Sequence, residues 1–363
     1  MKVLVGLDGS IDSAVTAYLL KSMGYGVIGA TMKMWNNDEK YAEYVKNKGC
    51  FNQFQQQNIN EAEKIADILK IKHYVFDCSA EYKHYVLDTL KKNYAEGIMT
   101  NPCIICNEVL KFGILPQVAQ KQGLNFDKFA AGYYARVSLG NNDRYLLMRG
   151  LEKKHDESYY LYRLSQEQLQ QMLLPLGLYT RDEVVVIARQ LGLAISENSK
   201  TQSFYDGDMT DVLEQRNQKG NFITQNGTVV GEHDGIWKYS IGQKKGLGIE
   251  TERNLYVLDI LPKTNEVVVG YEEEALYTGL VANDLHWVAI DDLDEQTDIY
   301  VKTRSVQEPV KAFAKPSGNG TMQIDFKVPQ KAVTVGQSVV LYYKDIVIGG
   351  GVITKAFRQQ CTK

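Results

Sequence analysis

The sequence predicts an α/β N-terminal domain built on a parallel sheet, followed by two small β-rich domains, the last of them a β-barrel. Three observations carry this expectation. Over roughly the first 200 residues, short apolar runs alternate with stretches of helical periodicity, as in a parallel sheet covered by helices. From about Asn221 the texture changes to short runs rich in Val, Ile, Tyr and Thr. Turn signals separate those runs: Asn226-Gly227, Pro262-Lys263 and Gly318-Asn319-Gly320. The 363 residues suit two or three domains, with expected bounds 1–205, 206–280 and 281–363.

The elements follow in order. Val3 to Gly6 is a short apolar strand. Ser13 to Met23 places Val15, Ala17, Leu19 and Leu20 at helical spacing. Tyr25 to Lys33 reads as a second strand, Asn60 to Leu69 as a helix, Lys72 to Asp77 as a third strand and Phe126 to Gly132 as a fourth. In such sheets ligands bind at the loops that leave the C-terminal ends of the strands. No internal repeat or low-complexity tract interrupts the pattern.

Composition narrows the class. Hydrophobic residues make up 44% and charged residues 23%, an ordinary globular balance with ample chain for a core. No apolar run approaches the ~18 residues of a membrane span. The chain enters a strand at once (Lys2-Val3-Leu4-Val5), so no signal peptide is expected and the expected compartment is the cytosol. A formal charge of −3 argues against a globally basic nucleic-acid binder but allows a shaped RNA site with a local basic face. Five cysteines suit no disulfide framework. Cys103 and Cys106 form a C-x-x-C pair, and Cys78 and Cys361 are expected to be ordinary free thiols.

Gly6-Leu7-Asp8-Gly9-Ser10-Ile11-Asp12-Ser13 joins the first strand to the first helix. Phosphate binding uses that geometry: glycine permits close backbone approach, N–H groups point at the anion, and the helix start adds partial positive charge. An ordinary strand–turn–helix joint, with Asp12 or Ser13 as N-cap, is the alternative. The G-K-[ST] ending of a Walker A loop is missing. The segment resembles the pyrophosphate (PP) loop of ATP pyrophosphatases, S-G-G-x-D-S, enzymes that cleave ATP to AMP and pyrophosphate and leave AMP on the substrate. Gly9, Asp12 and Ser13 match; Asp8 replaces the first serine and Ser10 the second glycine. A carboxylate at about 4 Å from a phosphate repels it by about 4 kcal/mol at an effective dielectric near ~20. A bound Mg²⁺ reverses that sign.

Further strings narrow the resemblance. They are Thr31-Met32-Lys33-Met34-Trp35, Asn101-Pro102-Cys103-Ile104-Ile105-Cys106-Asn107, Lys111-Phe112-Gly113, Ala131-Gly132-Tyr133-Tyr134-Ala135-Arg136 and Asp156-Glu157-Ser158-Tyr159-Tyr160-Leu161. Pro175-Leu176-Gly177, Gly231-Glu232-His233-Asp234-Gly235, Ile241 to Gly248, Ala332 to Gln337 and Gly349-Gly350-Gly351 continue the order. The chain resembles bacterial tRNA-specific 2-thiouridylases over nearly its whole length. The resemblance implies a PP-loop ATP pyrophosphatase domain, a central β-rich domain and a C-terminal barrel. It implies 2-thiolation of a tRNA wobble uridine: ATP with Mg²⁺ adenylates O2 of the base, a cysteine persulfide delivers sulfur, and AMP leaves. By motif, Gly6, Leu7, Asp8, Gly9, Ser10, Ile11, Asp12, Ser13, Met32 and Gly132 would contact ATP. Asn101, Pro102 and Cys103 would face the target base, with Cys106 as nucleophile and Cys103 beside it. Tyr133, His155, Asp156, Glu157, Arg304, Ser305 and Gln337 would contact tRNA. Implied partners are tRNA and a sulfur-donor protein or sulfide source, with the chain a monomer.

The departures cluster at the chemical site. Thr201-Gln202-Ser203-Phe204-Tyr205-Asp206-Gly207-Asp208 lacks the second cysteine that relatives carry as the persulfide bearer. No tyrosine or serine holds transferable sulfur. Tyr133 replaces the usual His, and His155 and Glu157 stand where Lys and Gln are common. This is the pattern of a paralogue with altered or lost chemistry. The Cys103/Cys106 pair has three readings: reduced thiols, one of them nucleophilic; ligands of an iron–sulfur cluster with Cys50 as third; or a redox-active disulfide. A helical pattern beginning near Asn107 would set a helix N-terminus beside Cys106 and favour its thiolate. His233 is read as a turn residue of the β half, and Lys244 and Lys245 as RNA-phosphate contacts or a solvated turn.

Overall fold

The structure, a computed structural model, describes residues 1–34, 50–51, 55–193, 204, 209–214 and 218–359. The first strand, β1 (Lys2–Gly6), carries Val3, Leu4 and Val5 with no solvent exposure, so both of its faces are covered. β2 (Gly26–Lys33) and β3 (Lys72–Asp77) extend the sheet on one side of β1. β4 (Lys128–Ala130) and, further along the chain, β7 (Met172–Leu173) extend it on the other, giving the parallel order β3-β2-β1-β4-β7. Helix α1 (Ile11–Ser22) follows β1, and α2 (Gln55–Leu69) turns Ile59, Ala62, Ile65, Ala66 and Leu69 toward the sheet at three- and four-residue spacing. The chain leaves β1 in one direction and returns on its other side at β4. The connections therefore diverge at the C-terminal ends of β1 and β4, the switch point at which open parallel sheets bind ligands.

Four strands form the central sheet: β8 (Gly220–Ile223), β9 (Val229–His233), β10 (Tyr256–Leu261) and β11 (Glu266–Gly270), in the order β10-β11-β8-β9. Its core is Phe222, Ile236, Leu247, Val257, Val267 and Val269. The barrel comprises β12 (Leu276–Trp287), β13 (Thr297–Lys302), β14 (Val310–Pro316), β15 (Met322–Lys331), β16 (Ser338–Tyr343) and β17 (Ile346–Arg358). The order β12-β15-β14-β13-β16-β17 closes through pairing of β12 with β17. Because β12 begins at Leu276, the expected break at 280/281 falls inside a strand, and the barrel starts earlier.

One feature was not visible as a pattern. The hairpin β5 (Ala135–Leu139) and β6 (Tyr145–Arg149) leaves the α/β domain and joins the barrel sheet, Ile346 of β17 pairing with Met148. Leu147, Tyr159 and Tyr162 share a buried cluster with Val340, Tyr342 and Val347 of the barrel, so the two domains hold one core in common. Among the described residues, no helix is long and apolar enough to cross a membrane.

Candidate active site

The loop after β1 lies at this switch point. Ser10 caps α1 and its Oγ accepts the Ser13 N–H at 3.2 Å. Gly9 has φ 84°, in the left-handed region, and a Cβ there would stand 2.8 Å from the Asn58 carbonyl oxygen. Asp8 is exposed, and its Oδ1 accepts from Ser10 N (3.0 Å), Ser10 Oγ (2.6 Å) and Ser13 Oγ (2.7 Å). The donors that the loop would turn toward a phosphate are thus gathered on one carboxylate oxygen. Asp12 points elsewhere: its Oδ1 accepts from Tyr134 Oη at 2.8 Å and from the Arg181 guanidinium. Burial raises the Asp12 carboxyl above its ordinary range, against the opposing pull of Arg181 and the Tyr134 hydroxyl.

The segment after β4 crosses directly over this loop. A Cβ on Gly132 would lie 2.8 Å from the Asp12 carbonyl carbon and 3.0 Å from Ser13 N, so only glycine allows the approach. Tyr133 reaches the other way: its Oη donates to Asn107 Oδ1 (2.5 Å) and accepts from Lys111 Nζ (2.7 Å). Met32, near the end of β2, packs between the sheet core and the helical layer.

The cysteine turn begins with Asn101, whose side chain accepts from Cys103 N at 3.1 Å. Pro102 occupies the first helical position, where its missing N–H costs nothing. The helix runs as α from Pro102–Ile105, π over Cys106–Ile114, and α again from Leu115–Lys121. Such π segments recur at functional sites. The helix start therefore lies at Asn101-Pro102, and Cys106 is a full turn inside; the expected N-terminus at Asn107 is corrected. Burial pushes the Cys106 thiol up to about 12, and Lys111 offsets only part of that. Cys103 is raised as well, by burial first and then by Cys50 and Cys106 nearby. Both residues keep some solvent access, as groups lining a recess do. Cys50, Cys78, Cys103 and Cys106 form no disulfide with one another. Among the described residues, no group of three or more His, Cys, Asp or Glu is arranged to hold a metal ion, so the iron–sulfur reading of Cys50, Cys103 and Cys106 gains no support.

Family comparisons agree with this layout. Residues 1–204 match a tRNA methyl transferase HUP domain, 210–271 a tRNA methyl transferase PRC-barrel domain, and 277–353 an aminomethyltransferase β-barrel domain. The chain is 43% identical over 356 residues to the tRNA-specific 2-thiouridylase MnmA of Endomicrobium trichonymphae, covering 97% of this chain and 99% of that one. It is 40% identical over 359 residues to the protein of the same name from Clostridium botulinum (strain Eklund 17B / Type B), covering 97% of both. The chain belongs to the tRNA-specific 2-thiouridylase family.

The tRNA contacts that this membership suggested fall into two groups. Arg304 is exposed, Ser305 Oγ accepts from Tyr160 Oη at 2.9 Å, and Gln337 Nε2 donates to the Met99 carbonyl at 2.5 Å, next to the Asn101 turn. His155 is half-buried, with Nδ1 3.0 Å from Glu152. Tyr133, Asp156 and Glu157 are instead buried in this structure. Asp156 is committed inside, to Arg149 at 3.0 Å and Lys302 at 3.4 Å, with Gly150 N and Ser158 N also donating to it. Its carboxylate is turned inward. Among the described residues, the Glu157 side chain accepts from Tyr134 N alone, at 3.0 Å. His233 is buried against Phe222, its Nδ1 accepting from Gly235 N at 3.1 Å, a structural turn residue. The segment 201–203 and 205–208, where the resemblance led us to look for a second cysteine, and Trp35 and Cys361 lie outside the described residues. Arg181 went unseen in sequence, being 169 residues from Asp12 with no motif around it. Lys111 carried a signal, the Lys-Phe-Gly string, but no role.

Proposed function

We propose that the protein uses ATP to adenylate O2 of a tRNA wobble uridine and then replaces that oxygen with sulfur. One observation carries the reading: the segment Gly132-Tyr133-Tyr134 links the PP loop to the cysteine turn. Gly132 presses on the loop, while Tyr133 is hydrogen-bonded into the helix that begins with Asn101, Cys103 and Cys106. A base between the two would meet an activated phosphate on one side and a thiol on the other. The names of the relatives support tRNA 2-thiolation as the outcome.

The fit to ATP rests on the N–H groups at the start of α1, directly after the first strand of the parallel sheet. Bound ATP supplies the adenylyl group, and Mg²⁺ would neutralise its phosphates. Arg181 and Tyr134 hold the Asp12 carboxylate in the first turn of α1. Lys111 sets a fixed cation among Tyr133 and the thiols. Sulfur transfer runs through Cys106 with Cys103 beside it, from an external donor. Asp8, which already engages the loop's donors, favours a second reading: a tRNA-binding relative that turns over no ATP. Incubation with tRNA and labelled ATP separates them. The first reading expects tRNA-dependent AMP and pyrophosphate; none above background would sink it. Cys106→Ala should abolish thiolation and leave tRNA binding intact, and thiolation retained in that variant would remove Cys106 from the mechanism.

A further inference from the structure

The three domains meet on a short stretch of chain just ahead of the cysteine turn. Tyr94, near the end of the helix Asp88–Ala95, packs on Trp237 of the central domain with ring centroids 6.1 Å apart. Gly97 follows with φ 79°, and a Cβ there would stand 3.1 Å from Cγ of Pro262, in the turn between β10 and β11. Met99 then packs its side chain against the central core that holds Phe222, Ile236 and Val257. The backbone of the same residue belongs to the barrel. Met99 N donates to the Val335 carbonyl at 3.2 Å, and the Met99 carbonyl accepts from Gln337 Nε2 at 2.5 Å. Two residues later Asn101 caps the helix that carries Cys103 and Cys106.

We propose that Gln337 is a positioning residue for the cysteine turn: it holds the Met99 carbonyl, so that the barrel loop sets where Cys103 and Cys106 stand. The consequence for thiolation rests on the function proposed above, whereas the placement of the turn does not.

The loop that presents Gln337 is itself fixed. Gly336 N donates to the Ile353 carbonyl (2.8 Å), Ile353 N to the Gln337 carbonyl (2.9 Å) and Gln337 N to the Thr334 carbonyl (3.2 Å), which ties the loop to β17. Gly336 has φ 90°, and a Cβ on it would lie 2.6 Å from Met99 N and from Ile98 Cγ2. The loop is therefore seated on residues 98–99 at backbone distance. Ala332, just before the loop, is met from the central domain by Gly242, where a Cβ would collide with that of Ala332. Bonds within the segment give it shape: Ile98 N donates to the Asn93 carbonyl at 2.9 Å, and Asn93 Nδ2 to Thr100 Oγ1 at 2.6 Å. These bonds fold residues 93–100 but tie them to nothing outside. The contacts to Val335, Gly336 and Gln337 decide where the fold stands relative to the barrel. A shift of about 1 Å in a reacting group can slow a reaction by roughly 100-fold.

The resemblance put Gln337 at the tRNA surface. A contact to RNA and a hold on Met99 differ in the protein free of tRNA, where only the second has an effect. The test is Gln337→Met in the full chain, which keeps the side-chain length and removes the donor without adding charge. Without tRNA, amide exchange over residues 99–105 should be roughly tenfold faster, and iodoacetamide should alkylate Cys103 and Cys106 roughly threefold faster, with the thermal midpoint unchanged. Gly336→Ala, which lifts the loop off Ile98 and Met99 without touching the amide, should accelerate both in the same way. With saturating tRNA, Mg²⁺-ATP and sulfide, thiolation by Gln337→Met should fall roughly tenfold while the tRNA Kd stays within about twofold of the parent. Parent rates of exchange and alkylation in Gln337→Met would overturn the proposal, and weaker tRNA binding alongside them would make Gln337 an RNA contact instead. Thiolation at the parent rate in that variant would overturn it too. A parent that thiolates no tRNA removes the proposed function alone, because exchange and alkylation still decide the placement of the turn.

Discussion

Asp8 shows how one side chain can change what a loop offers. Three donors, Ser10 N, Ser10 Oγ and Ser13 Oγ, converge on its Oδ1. A phosphate arriving there must displace a carboxylate and also tolerate its charge. Asp8→Ser should strengthen Mg²⁺-ATP binding by tenfold or more, about 1.4 kcal/mol, in a calorimetric titration. Weaker binding would instead make Asp8 a cation ligand. Glu157 makes a second prediction, on stability. Its carboxyl ionises near its ordinary 4.5 when unfolded but holds its proton to about 8 when folded. The folded state therefore binds the extra proton between those values, and its stability falls as pH rises through that window. Glu157→Gln should be more stable than the parent by a few kcal/mol at pH 8 and little different at pH 4.5, read from denaturant unfolding at each pH. Equal stabilities at both pH values would show that the carboxyl is solvated.

The elements that set the site do so through backbone contacts. Gly132 lies against α1 at distances that exclude any Cβ, so its segment packs directly on the PP loop. Gly132→Ala must shift one of them by several tenths of an ångström. ATP affinity should fall at least tenfold while the far-UV spectrum is unchanged; an unaffected affinity would mean that the crossing plays no part in binding. The cysteine turn depends on its cap in the same way. Asn101 fixes Cys103 N, and Pro102 presets the first helical dihedral. Asn101→Ala should cost about 1 kcal/mol locally, seen as roughly fivefold faster amide exchange over residues 103–105.

At the scale of the whole molecule, Asp156 is the pin. It sits where β6, the following turn and β13 meet, with no side-chain exposure, between Arg149 and Lys302. Removing it leaves Lys302 buried without its carboxylate partner and Arg149 held by Glu308, a loss of about 3–5 kcal/mol. Asp156→Ala should separate the melting of the barrel from that of the α/β domain in calorimetry, whereas Arg304→Ala on the open surface should leave the melt unchanged and weaken tRNA binding. A single unchanged transition in the Asp156 variant would mean that the shared apolar core alone joins the domains.

Alternating apolar runs were enough to make the parallel sheet legible, because a strand buried on both faces must be apolar throughout, as Val3, Leu4 and Val5 are. The turn pairs likewise announced the β half, because Gly227 needs a left-handed backbone at φ 85°. The local structure of the loop after β1 and of the C-x-x-C turn could be read for the same reason: each is capped by residues a few positions apart. Asp12–Arg181, Tyr133–Lys111–Asn107 and Arg149–Asp156–Lys302 join residues that no local spacing connects. The burial of Asp156 and Glu157 could not be read either, because a carboxylate in sequence looks the same whether it faces RNA or a closed core. Solvent and neighbours decide its charge, and the packing of distant strands and helices sets both.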